Sequence, residues 1–171
     1  MSATFLIALG SNRRHRCGDP KRVVAAAIEA LEHAGLKVTA RSRIRTTAPL
    51  GPGGRSYANA AVAVTTPLAL PALLELLQAI EARFGRRRGQ RWGARVLDLD
   101  ILGSAGSVYP SPHRWHRAQG LVVPHRALAL RRFVLDPLVD IAPGWRHPVL
   151  HSTARQLRTR LRHPKATAPS P

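Results

Sequence analysis

The sequence lacks the marks of several protein classes. It has one cysteine, Cys17, so no disulfide can form within the chain and nothing requires an oxidising compartment. Its first apolar run, 4–9, is too short for a signal-peptide core or a membrane span. We therefore expect a cytoplasmic protein with no membrane partner.

Acidic residues are also scarce. Nine Asp and Glu stand against 27 Lys and Arg, a formal net charge of +18 that favours polyanionic partners. Nucleic acid is one such partner, supported by the sequence Arg-Trp-His-Arg at 114–117 and by the basic segment 155–162. A GC-rich coding bias would produce the same excess without function, because all but three of the basic residues are arginine. Both interpretations stay open on the charge alone.

The usual nucleotide and zinc fingerprints are missing too. There is no Walker-type lysine loop, and Gly51, Gly53 and Gly54 lack the spacing of a dinucleotide-binding turn. The eight histidines show no paired helical spacing typical of zinc proteases. These absences argue against a P-loop enzyme, a Rossmann enzyme and a zinc site.

The chain has 171 residues of ordinary globular composition. The periodicity of its apolar residues predicts alternating strands and helices. Strands are expected at 4–9, 36–44, 58–65 and 96–102, and helices at 20–34 and 71–85. The order βαββαβ predicts an α+β sandwich, with helices covering one face of a mixed, mainly antiparallel sheet. We expect one domain over 1–150, with a basic C-terminal helix and a disordered tail over 151–171.

Two aspartates on the last predicted strand are the strongest candidate for chemistry. Asp98 and Asp100 lie two residues apart, so both side chains project from one face of that strand. Two adjacent carboxylates repel unless a cation neutralises them, and Mg²⁺ bound jointly with substrate phosphates suits such oxygen ligands. The alternative is a solvated strand face.

An arginine-rich loop precedes this pair. The basic side chains at 86–95 can bind phosphate oxygens bidentately, whereas the alternative is a loop made basic by codon bias. Phosphoryl transfer depends mostly on positioning and on neutralising phosphate charge, so a loop of arginines beside a metal strand predicts a polyphosphate substrate.

Several segments share their sequence with one known family. The clearest are Ala-Leu-Gly-Ser-Asn at 8–12 and Arg-Trp-Gly-Ala-Arg-Val-Leu-Asp-Leu-Asp-Ile at 91–101. Further agreement lies at 49–51, 57–61, 124–125, 132–138 and 141–143. Through these motifs, 4–148 resembles the 6-hydroxymethyl-7,8-dihydropterin pyrophosphokinase family of folate biosynthesis.

The resemblance implies a ferredoxin-like fold and transfer of pyrophosphate from ATP to the hydroxymethyl group of the pterin, releasing AMP. It implies two Mg²⁺ ions held by Asp98 and Asp100, with Arg86 and Arg95 assisting catalysis. The pterin-binding residues that it implies are Thr47, Leu50, Tyr57, Asn59 and Phe133. Those implied for ATP are Gln78, Glu81, Arg88, Trp92, Ile101, His125 and Arg131. A monomer acting on small molecules is expected, and a family member that binds without catalysis stays an alternative.

Two positions depart from the family pattern. Ala94 stands where proline is common, which leaves the arginine loop less restrained. Arg126 follows His125 where proline or tyrosine is frequent, which puts nucleotide contacts there in doubt. The basic insertion at 104–120 is longer than usual for the family.

Overall fold

The computed structural model describes residues 1–47, 55–85 and 96–162 of the chain. Its strands are β1 (Ala3–Ser11), β2 (Lys37–Arg41), β3 (Arg45–Thr47), β4 (Tyr57–Thr66) and β5 (Asp98–Ser104). Its α-helices are α1 (Pro20–His33), α2 (Leu70–Arg83), α3 (Arg132–Ile141) and α4 (Ala154–Arg162), and a single 3-10 turn lies at Leu128–Leu130. The α+β class predicted from the sequence is confirmed.

The first two helices begin and end as the sequence signals predict. Asp19 caps α1 by accepting a hydrogen bond from the Arg22 N–H (3.0 Å), and Pro20 occupies the first turn. Gly35 and Gly85 follow the two helices with φ of +87° and +88°, a backbone region that favours glycine. Local chemistry therefore accounts for both ends of α1 and for the end of α2.

The sheet has the order β2-β4-β1-β5, with β3 also pairing with β4. Every strand pairing in the described part of the chain is antiparallel, so the expected mixed sheet is corrected to an antiparallel one. The strand predicted at 36–44 is interrupted at Ser42. Its backbone N–H donates to the Ala61 carbonyl and its Oγ accepts from the Ala61 N–H (both 2.9 Å), so the side chain replaces one link of the strand ladder.

Helices cover both faces of this sheet, not one as predicted. On the first face, α1 and α2 pack on a core that includes Ile7, Leu9, Val62, Leu99 and Ile101. On the second face, α3 and α4 bury Leu135, Leu138, Ala154 and Leu157 against Leu6 and Leu102. Asp98 and Asp100 on β5 therefore share their face with a second, smaller core.

The sequence analysis missed α3. The helix contains Pro137 and has no side-chain hydrogen bond at its N-terminus, so the usual start and stop signals are absent. One face of the helix, which carries Val134, Leu135 and Leu138, is buried against the sheet. This tertiary packing stabilises the helix.

The C-terminal region forms part of this second layer. The predicted terminal helix is present as α4, and its buried Ala154 and Leu157 pack in the same cluster as α3. The tail at 163–171, predicted to be disordered, lies outside the described residues. In the described part of the chain, no helix combines the length and apolar composition needed to span a membrane.

Candidate active site

The two aspartates lie on one face of β5, as their spacing predicts. Leu99, between them, is buried in the first core, so Asp98 and Asp100 point to the opposite face. Asp98 is half-buried and Asp100 is exposed. Across β1, Asp98 pairs with Gly10 and Asp100 pairs with Ala8, so the neighbouring positions on this face carry no side chain beyond a methyl group. The strand thus presents both carboxylates on the sheet face opposite the first core.

A row of residues runs across the sheet from this acidic pair. Gly10 pairs with Asp98 on one side and with Asn59 on the other. Asn59 therefore lies two strands, about 10 Å, from Asp98. It is 5 % exposed, and its Nδ2 donates a hydrogen bond to Thr47 Oγ1 (3.0 Å). The structure thus joins Thr47 to Asn59 and brings both near the acidic pair.

Two large aromatic side chains are partly exposed. Tyr57, at the start of β4, is 39 % exposed, and Phe133, at the start of α3, is 36 % exposed. Large apolar side chains usually enter a core, so two that remain open beside a polar site suit a flat ligand. The Arg131 guanidinium lies 5.9 Å from the centre of the Phe133 ring, within cation–π range.

His125 is held next to Asp100 and Arg131. Its backbone N–H donates to the Leu102 carbonyl (2.9 Å), which ties the loop to β5. Burial lowers the pKa of His125, the Asp100 carboxylate opposes that change, and Arg131 lowers the pKa further. Nδ1 accepts from the Ala127 N–H (3.2 Å), so in the neutral ring the proton is assigned to Nε2.

The residues predicted to face ATP from α2 differ in exposure. Gln78 is exposed, whereas Glu81 is 2 % exposed and its Oε1 accepts a hydrogen bond from the Leu99 N–H (2.8 Å). Ile101 is buried in the first core, on the face away from the aspartates. Glu81 therefore supports the strand that carries the aspartates.

Other predicted site residues lie outside the described part of the chain: Leu50 in the expected covering loop, and Arg86, Arg88, Trp92 and Arg95 in the arginine loop. The departure at Ala94 also lies there. Their assigned roles stay predictions.

The sequence analysis assigned no site role to Gly10, Arg45 or Asp140. Gly10 separates Asn59 from Asp98, and a Cβ atom at Gly10 would stand 3.4 Å from Asn59 Oδ1. Arg45, paired with Asn59 on β3, donates through Nη2 to both carboxylate oxygens of Asp140 on α3 (2.8 and 3.0 Å). The glycine ending an apolar strand was a visible signal, whereas a contact spanning 95 residues leaves none in the sequence.

The Arg-Trp-His-Arg sequence at 114–117 does not offer its aromatic ring to nucleic acid. Trp115 is 5 % exposed, and its indole N–H donates to the Pro124 carbonyl (2.7 Å). A ring buried in this way is not available for base stacking. His113, Arg114, His116 and Arg117 around it are exposed.

Comparison with known proteins gives a consistent result. Residues 6–143 match the family model described as 7,8-dihydro-6-hydroxymethylpterin-pyrophosphokinase. A 2-amino-4-hydroxy-6-hydroxymethyldihydropteridine pyrophosphokinase from Methylorubrum extorquens is 41 % identical over 139 residues, covering 80 % of this chain and 81 % of the relative. The protein of the same name from Pseudomonas aeruginosa is 40 % identical over 144 residues, covering 83 % and 82 %.

A solved structure is similar in fold. The wild-type HPPK-DHPS of Plasmodium falciparum superposes with a TM-score of 0.72 at 14 % identity. The match covers 96 % of this chain and 46 % of the Plasmodium chain, so this chain spans less than half of that protein.

Proposed function

Because this chain belongs to the 7,8-dihydro-6-hydroxymethylpterin-pyrophosphokinase family, we propose that the surface between Asp98, Asn59 and His125 is its active site. The chain is a transferase of folate biosynthesis. It moves pyrophosphate from ATP to the hydroxymethyl group of 6-hydroxymethyl-7,8-dihydropterin and releases AMP. The observation that supports the site most strongly is the sheet row in which Gly10 separates the acidic strand from Asn59.

The acidic pair has the donor chemistry of a magnesium site. Asp98 and Asp100 supply carboxylate oxygens on one face of a regular strand, and their cross-strand partners on β1 are the small residues Gly10 and Ala8. Hard oxygen donors and open space for substrate phosphates are what Mg²⁺ takes in such enzymes. Asp98 and Asp100 would hold two Mg²⁺ ions, and these ions would neutralise charge on the transferred phosphates.

The pterin binds in this proposal between Tyr57 and Phe133. Both rings are partly exposed, on β4 and on α3, and each offers an apolar face to a flat heterocycle. Asn59 forms hydrogen bonds with the polar edge of the pterin through its side-chain amide. The hydrogen bond from Asn59 to Thr47 orients this amide. Leu50, in the preceding loop, contributes a further contact. This arrangement directs the hydroxymethyl group along the row toward the acidic pair.

The phosphates of ATP lie over β5 in the same proposal. His125 donates from Nε2 to a phosphate oxygen, and Arg131 adds a positive charge beside it. Arg86, Arg88 and Arg95 bind the remaining phosphate charge, and Trp92 helps the loop to close. Such positioning and charge neutralisation account for most catalysis of phosphoryl transfer.

The adenine lies at the outer edge of β5. This edge has no strand neighbour in the described part of the chain. Because the Ile101 side chain is buried, its contact with adenine is made by the backbone. Gln78, exposed on α2, completes this side, while Glu81 acts by holding Leu99.

The same proposal covers the wider properties of the chain. Residues 1–150 form the catalytic domain, and 151–171 add the basic helix and tail. The protein works as a cytoplasmic monomer on small molecules. Nucleic-acid binding is the rival use of its charge, and salt-dependent binding to DNA or RNA would support that rival.

The direct test is AMP release from ATP and Mg²⁺, with and without 6-hydroxymethyl-7,8-dihydropterin. We expect pterin-dependent AMP from the wild-type chain and none from Asp98→Ala. Absence of pterin-dependent AMP from the folded wild type would contradict the proposed function. Full activity in both Asp98→Ala and Asp100→Ala would contradict the metal site.

A further inference from the structure

The basic insertion is bonded to the segment that carries His125. Tyr109 and Val123 exchange two backbone hydrogen bonds, from Tyr109 N–H to Val123 O (2.8 Å) and from Val123 N–H to Tyr109 O (3.1 Å). Val123 is 1 % exposed and packs in the first core. The insertion therefore begins its contact with the site two residues before His125.

Trp115 fixes the peptide immediately before His125. Its indole N–H donates to the Pro124 carbonyl at 2.7 Å, and the ring is 5 % exposed. The indole also meets the buried His147 ring edge-on, with centroids 5.6 Å apart. A hydrogen bond from a buried N–H to a buried carbonyl constrains the position of both groups, because loss of the N–H leaves the carbonyl without that donor.

Arg126 is the residue immediately after His125, and its side chain is hydrogen-bonded to the insertion. Its Nε donates to the Trp115 carbonyl (2.8 Å), and its Nη2 donates to the Ala118 carbonyl. The guanidinium thus binds two carbonyls of the turn at 114–118, which is closed by Ala118 N–H to Arg114 O (2.8 Å). Arg126 is engaged with the insertion, which gives this departure from the family pattern a structural reason.

The contacts around His125 hold its backbone in place and leave one ring nitrogen as the donor. Residues 123, 124 and 126 are each bonded to the insertion, and His125 itself donates to Leu102 on β5. The Ala127 N–H occupies Nδ1, which leaves Nε2–H as the ring's donor. Phosphate oxygens only accept hydrogen bonds, so this tautomer is the useful one.

We propose that residues 109–118, together with Arg126, form a brace that positions the His125 imidazole for the phosphates of ATP. Trp115 and Arg126 are positioning residues in this proposal, which rests on the proposed function. The insertion serves the chain's own active site, and its exposed basic groups are not needed for this role.

The first test removes one N–H group. Trp115→Phe keeps an aromatic ring and loses the donor to Pro124, whereas Trp145→Phe makes the same change at an indole that donates to Ser104 O (2.9 Å). We expect the KM for ATP to rise about three- to tenfold in Trp115→Phe, with the KM for the pterin unchanged. Trp145→Phe should leave both KM values near those of the wild type. Equal losses in the two variants would overturn the proposal.

A second variant avoids the buried ring. Arg126 is exposed, so Arg126→Met removes the two hydrogen bonds with little risk to folding. It should raise the KM for ATP in the same way. An unchanged KM in both Arg126→Met and Trp115→Phe would contradict the brace.

A double-mutant cycle shows whether the effect passes through His125. In a His125→Ala background, Trp115→Phe should add no further loss of ATP affinity, because the group it positions is gone. Losses that multiply in the double variant would contradict the proposal, as would a His125→Ala variant with unchanged KM for ATP.

Nitrogen-15 NMR of His125 separates this proposal from the proposed function. The wild type should show the Nε2–H tautomer, and Arg126→Met should show a mixture. An unchanged tautomer and an unchanged KM in the variants overturn the brace even if the wild type releases AMP. A wild type that releases no pterin-dependent AMP overturns the proposed function, whatever the tautomer.

Discussion

Oε1 of the buried Glu81 carboxylate on α2 lies 2.8 Å from the backbone N of Leu99, the residue between the two aspartates of β5. The N–H donates to this carboxyl oxygen, and the hydrogen bond is buried. It occupies the backbone N–H that lies between the two aspartates. The helix layer on one face of the sheet thus holds in place the strand whose other face carries Asp98 and Asp100.

Loss of the Glu81 acceptor should weaken both fold and activity. We expect Glu81→Leu to lower the free energy of unfolding by about 2 kcal/mol, because the Leu99 N–H is left buried without that acceptor. AMP release should fall as well, because the strand that carries the aspartates loses its support. Glu75→Leu, on the exposed face of the same helix, is the control. Urea unfolding measures the difference, and equal stability of the two variants would refute the role of Glu81.

Neutralising either aspartate should stop the reaction without unfolding the chain. We expect Asp98→Asn and Asp100→Asn each to reduce AMP release about 100-fold or more, since phosphate charge is no longer neutralised. Without Mg²⁺, the melting temperature of Asp100→Asn should equal or exceed that of the wild type, because one of two adjacent like charges is gone.

Asp19→Asn is the matched control for charge. Asn accepts the capping hydrogen bond at the start of α1 as Asp19 does, so one acidic charge is lost without loss of the cap. This variant should keep wild-type activity. A comparable fall in all three variants would mean that net charge, not a metal site, controls the rate.

Adding a methyl group at Gly10 should affect the pterin more than ATP. The new Cβ would stand 3.4 Å from Asn59 Oδ1, at the edge of ordinary contact. We expect Gly10→Ala to raise the KM for the pterin several-fold and Gly10→Val to raise it further, with a smaller change in the KM for ATP. Gly144→Ala is the control, because a Cβ there meets no atom within 4 Å. A larger change for ATP than for the pterin would contradict the assignment of Asn59.

Stability should fall as the solution is acidified below pH 6.5. Burial, assisted by His151, lowers the pKa of His147 to about 4, so the unfolded chain takes up a proton that the folded chain does not. The contribution of His147 is complete above pH 6.5 and is lost as pH falls toward about 4, a change of about 3 kcal/mol. The lowered pKa of His125 acts in the same direction.

A histidine variant isolates that contribution. His147 Nδ1 accepts from the N–H groups of Val149 and Leu150 (3.2 and 3.1 Å), and the Asn side-chain oxygen can take both bonds. His147→Asn should therefore flatten the pH dependence between 4 and 6.5, whereas His113→Asn, at an exposed position, should not. Chemical unfolding at several pH values gives the comparison, and identical slopes would exclude His147 as the cause.

Local chemistry made much of the fold predictable. Asp19, Pro20 and Gly35 mark the ends of α1, and runs of apolar residues mark β1, β4 and β5. The helix α3 was missed because its stability comes from burying Leu135 and Leu138 against the sheet, which its own ten residues do not reveal. Within the predicted site, the placement of Asp98 and Asp100 on one strand face follows from the two-residue period of a strand. The structure places both side chains on that face.

The sequence by itself determined which residues are near each other along a strand or a helix, and through its motifs it determined the family. Only the tertiary structure decided that Asn59 lies across Gly10 from Asp98 and that Glu81 accepts a hydrogen bond from Leu99. It also decided that residues 109–118 of the insertion are hydrogen-bonded to the residues on both sides of His125. The physical reason is that strand pairing and buried hydrogen bonds join atoms far apart in the chain. Their geometry depends on how the whole sheet and its two helix layers pack, and no local pattern encodes it.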